Sequence, residues 1–177
     1  STQSTTGLHW RSRLDLSISN NGKAGLFSNK SKNIVEIDEC LIAVDIINKS
    51  GVFNKNWNNS DRLRIAASSE KEINISQLGK TILGVEKLKE KVDGNTYVIS
   101  PKSFWQSHKN APKLLLQQVI KYAKIKSGDI VCDLYGGVGL FTASIAELIG
   151  DTGKVHLIER DNDCINDAKK NFQNKKN

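Results

Sequence analysis

Apolar side chains occupy five of the six even-numbered positions from residue 8 to residue 18, namely Leu8, Trp10, Leu14, Leu16 and Ile18. Charged side chains, including Asp15, occupy positions between them. A period of two predicts a β-strand with one face against a core and the other face in solvent. An Asn-Gly pair follows, which is a hairpin turn signal, so a second strand is expected directly afterwards.

The same short-period pattern returns along the first hundred residues. Asp38 is a suitable N-cap for a helix that runs to about Asn48. Residues 1–100 are therefore predicted to form a β-rich, mostly antiparallel domain with one helix. We expect its further strands at 24–27, 34–37, 62–66, 73–75, 82–92 and 96–99.

The hydrophobic period lengthens after Pro101, and we place a domain boundary there, with a second domain over residues 101–177. Pro112 suits the first turn of a helix. The predicted apolar stripe of this helix consists of Leu115, Val119 and Ala123 together with Leu116 and Ile120. The second domain therefore begins with helical structure, unlike the first.

Two short apolar runs follow, at 130–134 and 154–159, and a helical pattern comes after each of them. The first of these helices is expected to end at Gly150, because glycine commonly terminates helices. The second is expected over 161–172. Strands that alternate with helices in this way predict a parallel α/β arrangement.

Composition limits the functional classes. The chain has 177 residues, a net charge of +7, a pI of about 9.3 and a mean hydropathy of −0.41. No apolar run approaches the ~20 residues of a membrane span, and the N-terminus lacks a signal-peptide pattern. Three widely spaced cysteines match neither a zinc motif nor an even disulfide set, so we expect a cytoplasmic setting.

The positive charge is unevenly distributed. Six lysines and no acid occur between Lys102 and Lys126. Such a run is either a solvated helix face or a contact surface for a polyanion. Because the run leads directly into the glycine-rich segment described next, an RNA partner stays open at this point.

The first of the two apolar runs ends in Asp133, and glycines follow at Gly136, Gly137 and Gly139. This order of strand, tight turn and helix start suits a nucleotide-like ligand, because glycine lets backbone amides approach closely. The second run ends in Glu159, which lies 20 residues after Gly139. An acid at about that spacing meets a ribose hydroxyl in Rossmann-type sites.

The glycine spacing differs from the dinucleotide fingerprint G-x-G-x-x-G, because Thr142 stands at the third glycine position. Asp133, four residues before Gly137, makes the segment similar to the D-x-G-x-G-x-G loop of class I methyltransferases, which bind S-adenosylmethionine. Tyr135 replaces the first glycine of that loop. A glycine turn of some other α/β protein is the alternative.

An ordered set of segments extends the resemblance over most of the chain. In that order the segments are similar to the RNA uracil-5-methyltransferases, class I enzymes that use S-adenosylmethionine to form 5-methyluridine in tRNA or rRNA. The F-W-Q form with a following His resembles actinobacterial members. The segments are L-H-W-R-S-R-L-D-L, G-L-F, N-I-V-E-I-D-E-C, S-F-W-Q and D-L-Y-G-G-V-G-L-F.

The resemblance implies an α/β protein in which a β-rich central domain precedes a Rossmann-like class I methyltransferase domain. It also implies S-adenosyl-L-methionine as the cofactor and RNA as the partner. Gln106 corresponds to a cofactor-binding glutamine of the family, and the loop and the second acid supply the rest of the site. The six predicted cofactor-binding residues are Gln106, Asp133, Tyr135, Gly137, Gly139 and Glu159.

The family's chemistry requires residues that this sequence lacks. A thiolate adds to carbon 6 of uracil, which makes carbon 5 nucleophilic, and a base then removes the carbon-5 proton. The resemblance places this Cys and a Glu after a D-P-P-R segment, which does not occur here. We therefore expect a C-terminally truncated chain with the first half of the catalytic domain and no catalytic residue.

The three cysteines, Cys40, Cys132 and Cys164, are interpreted as structural, because free cysteine is commonly buried and inert. Three scattered cysteines do not supply the ligands of an iron–sulfur cluster, so no metal is expected. Three functional hypotheses follow. The chain is part of an RNA uracil-5-methyltransferase, a class I methyltransferase of another substrate class, or a non-catalytic RNA-binding remnant. Enzymatic activity of the chain itself stays open.

Overall fold

The computed structural model describes residues 7–57 and 62–173. The chain divides into two compact units. Unit 1 comprises the chain up to Leu88 together with Ser107–Lys109, and unit 2 comprises the remaining residues. No helix in the described ranges is long and apolar enough to cross a bilayer. The cytoplasmic location stays a prediction.

Unit 1 contains a six-stranded sheet in which every neighbouring pair of strands is antiparallel. This confirms the antiparallel character predicted for the first part of the chain. The strand order across the sheet is β3-β2-β1-β4-β5-β6. In chain order the strands are β1 (Arg13–Ile18), β2 (Ala24–Phe27), β3 (Ile34–Glu36), β4 (Leu63–Ala67), β5 (Ile73–Gln77) and β6 (Lys80–Gly84).

One face of this sheet carries the core of unit 1. The period of two places Leu14, Leu16 and Ile18 of β1 on that face, and all three side chains are buried. They belong to one cluster with Ile65 of β4 and with Ile47 of α1 (Asp45–Asn48). Burial of each such side chain contributes about 1.5–3 kcal/mol to folding.

The helix predicted over 38–48 is wrong, since only its last turn, α1, forms. The chain before α1 pairs with the N-terminal segment instead. The amides of Trp10 and Arg11 both donate to the carbonyl of Ile42, and the Val44 amide donates to the carbonyl of Arg11. These groups are therefore not available for helical hydrogen bonds, and tertiary pairing overrides the local helical pattern.

Two predicted strands have different bounds in the structure. The first strand begins at Arg13 and not at residue 8, because the preceding residues make the pairing just described. The strand predicted over 82–92 is two strands, β6 and β7 (Leu88–Val92). After β6 the carbonyl of Val85 accepts a hydrogen bond from the Asn74 side chain of β5 at 2.6 Å, and the chain bends at residues 86 and 87 before β7 begins.

Unit 2 combines a small hairpin with a parallel strand pair and three helices. The pair confirms the parallel arrangement, with Lys154 opposite Ile130 and Ile158 opposite Leu134. Helix α3 packs on both parallel strands and α4 packs on β8. The elements that follow β7 are β8 (Asn95–Ile99), α2 (Ala111–Ala123), β9 (Ile130–Leu134), α3 (Leu140–Ile149), β10 (Lys154–Ile158) and α4 (Asn162–Phe172).

The hairpin β7–β8 falls within the predicted first domain but, apart from Leu88, belongs to unit 2. Its residue Tyr97 is buried in a cluster with Leu116 of α2 and Leu140 of α3. Along the chain, the boundary between the two compact units therefore follows Leu88, about twelve residues before the predicted boundary after residue 100. The domain assignment by function, 1–100 and 101–177, stays a prediction.

The helices of unit 2 lie where the sequence predicts them. Pro112 is in the first turn of α2, and Gly150 follows the last residue of α3. The predicted apolar stripe of α2 is only partly correct, because Leu116 is buried whereas Leu115 and Ala123 are exposed. The buried edge of α2 follows Pro112 and Leu116, and Ile120 packs against the same cluster, so the Leu116 and Ile120 side of the predicted stripe is confirmed.

Candidate functional site

The candidate site lies at the carboxyl ends of β9 and β10. Ligands of open α/β sheets bind in the crevice beyond these ends. The chain turns between β9 and α3 through Tyr135–Gly139, which we call the glycine loop. The Gly136 amide donates to the carbonyl of Ile158 at 3.1 Å, and this bond joins the loop to the end of β10.

Glu159 directly follows β10, and its carboxylate turns toward the glycine loop. Oε2 accepts a hydrogen bond from the Gly137 amide at 2.9 Å. Oε1 accepts from the amides of Arg160 at 2.6 Å and Asp161 at 2.8 Å. These bonds lower the pKa of Glu159, and the bond from the Asp161 amide has the largest effect on it. The side chain is therefore a carboxylate at neutral pH, in the position that its spacing predicts.

Gly137 and Gly139 are required for different reasons. Both have left-handed backbones, with φ of 58° and 93°, which glycine adopts without strain. A Cβ at Gly139 would overlap the Phe172 ring of α4, whereas a Cβ at Gly137 would meet no atom within 4 Å. Packing against α4 therefore requires Gly139, and the space beside Gly137 is open to a ligand.

Asp133 is the one buried carboxylate at the end of β9. Its Oδ2 accepts a hydrogen bond from the Thr142 hydroxyl of α3 at 2.6 Å. Burial raises the pKa of Asp133, and the bonds from Thr142 oppose that rise. The carboxylate thus contacts helix α3. Its predicted contact with the cofactor stays a prediction.

A cavity of about 530 Å³ opens beside Glu159. This volume lies within the roughly 300–1,000 Å³ of small-molecule sites. Two of the six predicted site residues, Tyr135 and Glu159, line the cavity, whereas Gln106, Asp133, Gly137 and Gly139 do not. Gln106 is half-buried in unit 2, and its predicted role stays a prediction. The residues that line the cavity are Tyr135, Glu159, Arg160, Asp161, Asn162 and Asp163.

Tyr135 has an unusual backbone at the mouth of this cavity. Its φ is 61°, and its side chain is 89% exposed. A left-handed backbone is strained for a bulky residue, and such strain concentrates at ligand sites. This conformation explains why the general methyltransferase pattern has glycine at this position. Here a tyrosine ring is held at the cavity instead.

Several residues that support the site were missed by sequence analysis. The Tyr97 hydroxyl donates to the carbonyl of Leu140, the first residue of α3, at 3.1 Å. Burial raises the pKa of Tyr97, so it remains a protonated donor. Asn162 and Asp163 line the cavity because α4 begins there, and the Asp161 cap of α4 was the available signal. No sequence pattern indicated the role of Tyr97, because an aromatic residue is common in a β-strand.

The three cysteines differ in exposure. Cys40 and Cys164 are buried, and burial raises the pKa of the Cys164 thiol. That shift disfavours the thiolate, in keeping with the structural interpretation of Cys164. Cys132 is exposed on β9 and does not line the cavity. The described residues contain no group of three or more His, Cys, Asp or Glu side chains able to hold a metal ion.

Comparison with known families decides the class. A family model described as protein-L-isoaspartate(D-aspartate) O-methyltransferase (PCMT) matches residues 70–177, which is more than half of the chain. The chain belongs to this methyltransferase family. The matched range contains β9, β10, the glycine loop and Glu159. Membership confirms the predicted cofactor, S-adenosylmethionine, because it is the methyl donor of this family.

Curated relatives are named as RNA methyltransferases. An uncharacterized RNA methyltransferase of Streptomyces coelicolor is 27% identical, and the match covers 92% of this chain and 42% of the relative. One from Streptomyces avermitilis is 26% identical, with 92% of this chain and 44% of the relative covered. One from Oceanobacillus iheyensis is 35% identical over 53% of this chain and 20% of the relative. The chain thus spans less than half the length of these relatives.

A solved structure has the same fold over nearly the whole chain. The crystal structure of Pyrococcus abyssi tRNA (uracil-54, C5)-methyltransferase in complex with S-adenosyl-L-homocysteine matches with a TM-score of 0.72 and 20% identity. The match covers 96% of this chain and 54% of that chain. At this identity the comparison establishes the fold, which is mixed α/β and methyltransferase-like.

The cavity lining fits S-adenosylmethionine. Glu159 is an ionised acceptor at the cavity, which ribose hydroxyls could bond, and Asp161 and Asp163 add negative charge suited to a cationic ligand. The exposed ring of Tyr135 offers an aromatic face to a base or a sulfonium group. When bound, the cofactor supplies an electrophilic methyl group. The residues that line the cavity would bind and orient it.

Proposed function

We propose that the protein methylates carbon 5 of uridine in RNA, with S-adenosylmethionine as the methyl donor. The observation that carries the proposal is the alignment of relatives named RNA methyltransferases over 92% of this chain. The fold shared with a tRNA (uracil-54, C5)-methyltransferase supports the choice of uridine and of carbon 5. The ordered sequence segments of the resemblance support it independently.

The role of this chain in that reaction is cofactor binding. Glu159 would accept hydrogen bonds from the ribose, the Gly137 side of the loop would receive the ligand, and Tyr135 would cover it. No cysteine of the described chain lines the cavity, so the chain supplies no assigned nucleophile. In this proposal unit 2 would be the first half of a class I methyltransferase domain.

Exposed lysines and a partly exposed cluster of aromatic and basic groups support an RNA substrate. All six lysines between Lys102 and Lys126 are exposed. In unit 1 the rings of Trp10 and His108 stack at 5.3 Å, and the Arg11 guanidinium lies 5.8 Å from the Trp10 ring centre. Cations attract phosphates, and aromatic rings stack with unpaired bases.

The test is methyl transfer by the protein expressed from its complete gene. Labelled S-adenosylmethionine is supplied with unmodified tRNA and rRNA, and the nucleosides are analysed by mass spectrometry. We expect 5-methyluridine with the wild type and a large loss of product with Glu159→Ala. The exposed substitution Asp151→Ala is the control and should leave the product unchanged. Labelled RNA without 5-methyluridine would contradict the proposal.

A second candidate comes from the name of the matching family model, which specifies an isoaspartyl protein substrate. The same assay with an isoaspartyl peptide distinguishes the two, since label would then appear as a base-labile ester on the peptide. RNA binding with no methyl transfer to either substrate would favour the non-catalytic hypothesis. We favour RNA because the family match begins at residue 70, whereas the RNA methyltransferase relatives match most of both units.

A further inference from the structure

The last turn of α4 reaches back to the glycine loop. Asn171 Nδ2 donates a hydrogen bond to the carbonyl of Val138 at 3.2 Å. Val138 lies between the two left-handed glycines of the loop, Gly137 and Gly139. The next residue of α4, Phe172, lies directly against Gly139. Two consecutive residues of the helix thus contact two consecutive residues of the loop.

The Asn171 side chain is itself held by strand β8. Its Oδ1 accepts from the Val98 amide at 2.8 Å, and its Nδ2 donates to the Val98 carbonyl at 3.3 Å. This pairing with both polar groups of one strand residue resembles the pairing of a further strand. A planar amide with one acceptor and two N–H donors serves all three bonds. An Asp at position 171 would lack the two N–H donors, and an Ala would make none of the three bonds.

The other end of α4 contacts the loop as well, through Glu159. That carboxylate accepts from the Gly137 amide and from the Asp161 amide at the start of the helix. The glycine loop is therefore bonded on one side to the residues that begin α4 and on the other side to the residues that end it. Asn171 and Val138, which form the bond at the end of α4, do not line the cavity.

We infer that Asn171 is a positioning residue for the cofactor site: it fixes the Val138 carbonyl and thereby the orientation of the neighbouring Gly137 and Gly139 amides. Peptide planes are rigid, so a carbonyl held at Val138 fixes the amide of Gly139 that shares its plane. Without the Asn171 bond the loop gains conformations in which the Gly137 amide leaves Glu159. The inference rests on the cofactor site described above.

Asp167 provides a matched control on the same helix. Its carboxylate accepts from the Ser100 amide at 2.6 Å and from the Ser100 and Ser103 hydroxyls at 2.8 Å and 2.7 Å. None of these groups belongs to the glycine loop. Asp167→Asn therefore weakens the anchoring of α4 without removing a bond to the loop.

The experiment titrates S-adenosylhomocysteine into the full-length protein by calorimetry and measures amide hydrogen exchange over residues 136–141. For Asn171→Ala we expect about threefold to tenfold weaker binding, the range of one lost hydrogen bond, and faster exchange in the loop. Asn171→Asp, which has the same shape, should behave alike and guards against misfolding of the Ala variant. Asp167→Asn should lower the melting temperature while binding stays within about twofold of wild type.

Unchanged binding and unchanged exchange in both Asn171 variants would overturn the inference. Equal losses of affinity for Asn171→Ala and Asp167→Asn at similar melting temperatures would also overturn it, because the effect would then be general destabilisation. A wild-type protein that binds no S-adenosylhomocysteine would refute the cofactor site itself. That outcome is separate, since it precedes any comparison of variants.

Discussion

At the scale of single residues, the site contains two carboxylates whose pKa values shift in opposite directions. Glu159 accepts three backbone amides and is exposed to the cavity, which lowers its pKa. Burial raises the pKa of Asp133, whereas the hydrogen bonds from Thr142 oppose that rise. The first is placed for a ligand. The second joins β9 to α3 and so supports the loop between them.

Thr142→Val tests that support. We expect the free energy of unfolding to fall by about 1.5–3 kcal/mol at neutral pH, because a buried carboxylate loses a charged hydrogen bond. The loss should shrink as pH falls, since the raised pKa of Asp133 allows it to protonate and a neutral acid needs the bond less. Urea denaturation at several pH values measures this. Thr142→Ser keeps the hydroxyl. A fall in the free energy of unfolding of Thr142→Val that does not depend on pH would argue against the account.

Tyr135→Gly should separate stability from binding. Relief of the left-handed backbone is expected to raise the free energy of unfolding by about 0.5–1 kcal/mol, even though glycine adds entropy to the unfolded chain. Loss of the exposed ring should at the same time weaken S-adenosylhomocysteine binding. Tyr135→Phe keeps ring and strain and should change neither. A destabilised Gly variant would show that the ring packs against the protein after all.

At the scale of elements, helix α4 connects the parts of the site. It begins at the cavity with the Asp161 cap and ends against Gly139 with Phe172. Its existence was predictable from the apolar period and the cap. Its polar inner face was not, because charged and amide side chains such as Asp167 and Asn171 are usually exposed in proteins. Buried polar groups are recognisable only once their partners are known.

Gly139→Ala should be costly because of this packing. The added methyl group overlaps the Phe172 ring and also forces a left-handed alanine, so we expect a loss of about 2–4 kcal/mol. Gly137→Ala has the same backbone strain without the overlap and should cost about 1–2 kcal/mol. In a double-mutant cycle, Phe172→Leu should recover part of the Gly139→Ala loss. Additive losses would mean that the ring does not restrict residue 139.

The failed helix prediction over 38–48 shows what local pattern misses. Strong local signals located β2, β3, α3 and α4, because periodicity and turn residues agreed there. The chain before α1 had a helical pattern, yet its backbone groups pair with residues 9–11, over thirty positions away in sequence. Such long-range pairing leaves no trace in a local window.

At the scale of the whole molecule, the parallel strands are unusual in their exposure. One side of the β9–β10 pair shows Ile130, Leu134 and Ile158 at 75%, 62% and 53% exposure. Parallel sheets are normally covered on both faces, yet these apolar side chains lie at the surface. The same exposure accounts for Cys132, which lies on that side. The sequence thus predicted the two parallel strands and the loop after β9 correctly.

The charge of the molecule gives a test of RNA binding. Reversal of three exposed α2-region lysines, Lys113, Lys121 and Lys124, to Glu should weaken RNA binding by the full-length protein. Fewer counterions are then released, so the slope of log affinity against log salt should fall by about 2. Reversal of Lys30, Lys32 and Lys80 changes the net charge equally and is the control. Equal effects of both sets would mean that only net charge matters.

The central claim is that Glu159 and the glycine loop hold the methyl donor, and calorimetric titration of S-adenosylhomocysteine into the full-length protein tests it most directly. Loss of an ionised acceptor in Glu159→Ala should weaken binding by about 1.5–3 kcal/mol, which is about 10- to 150-fold. Asp151→Ala, in an exposed turn, should bind like the wild type. Equal affinity of the wild type and Glu159→Ala would contradict the claim.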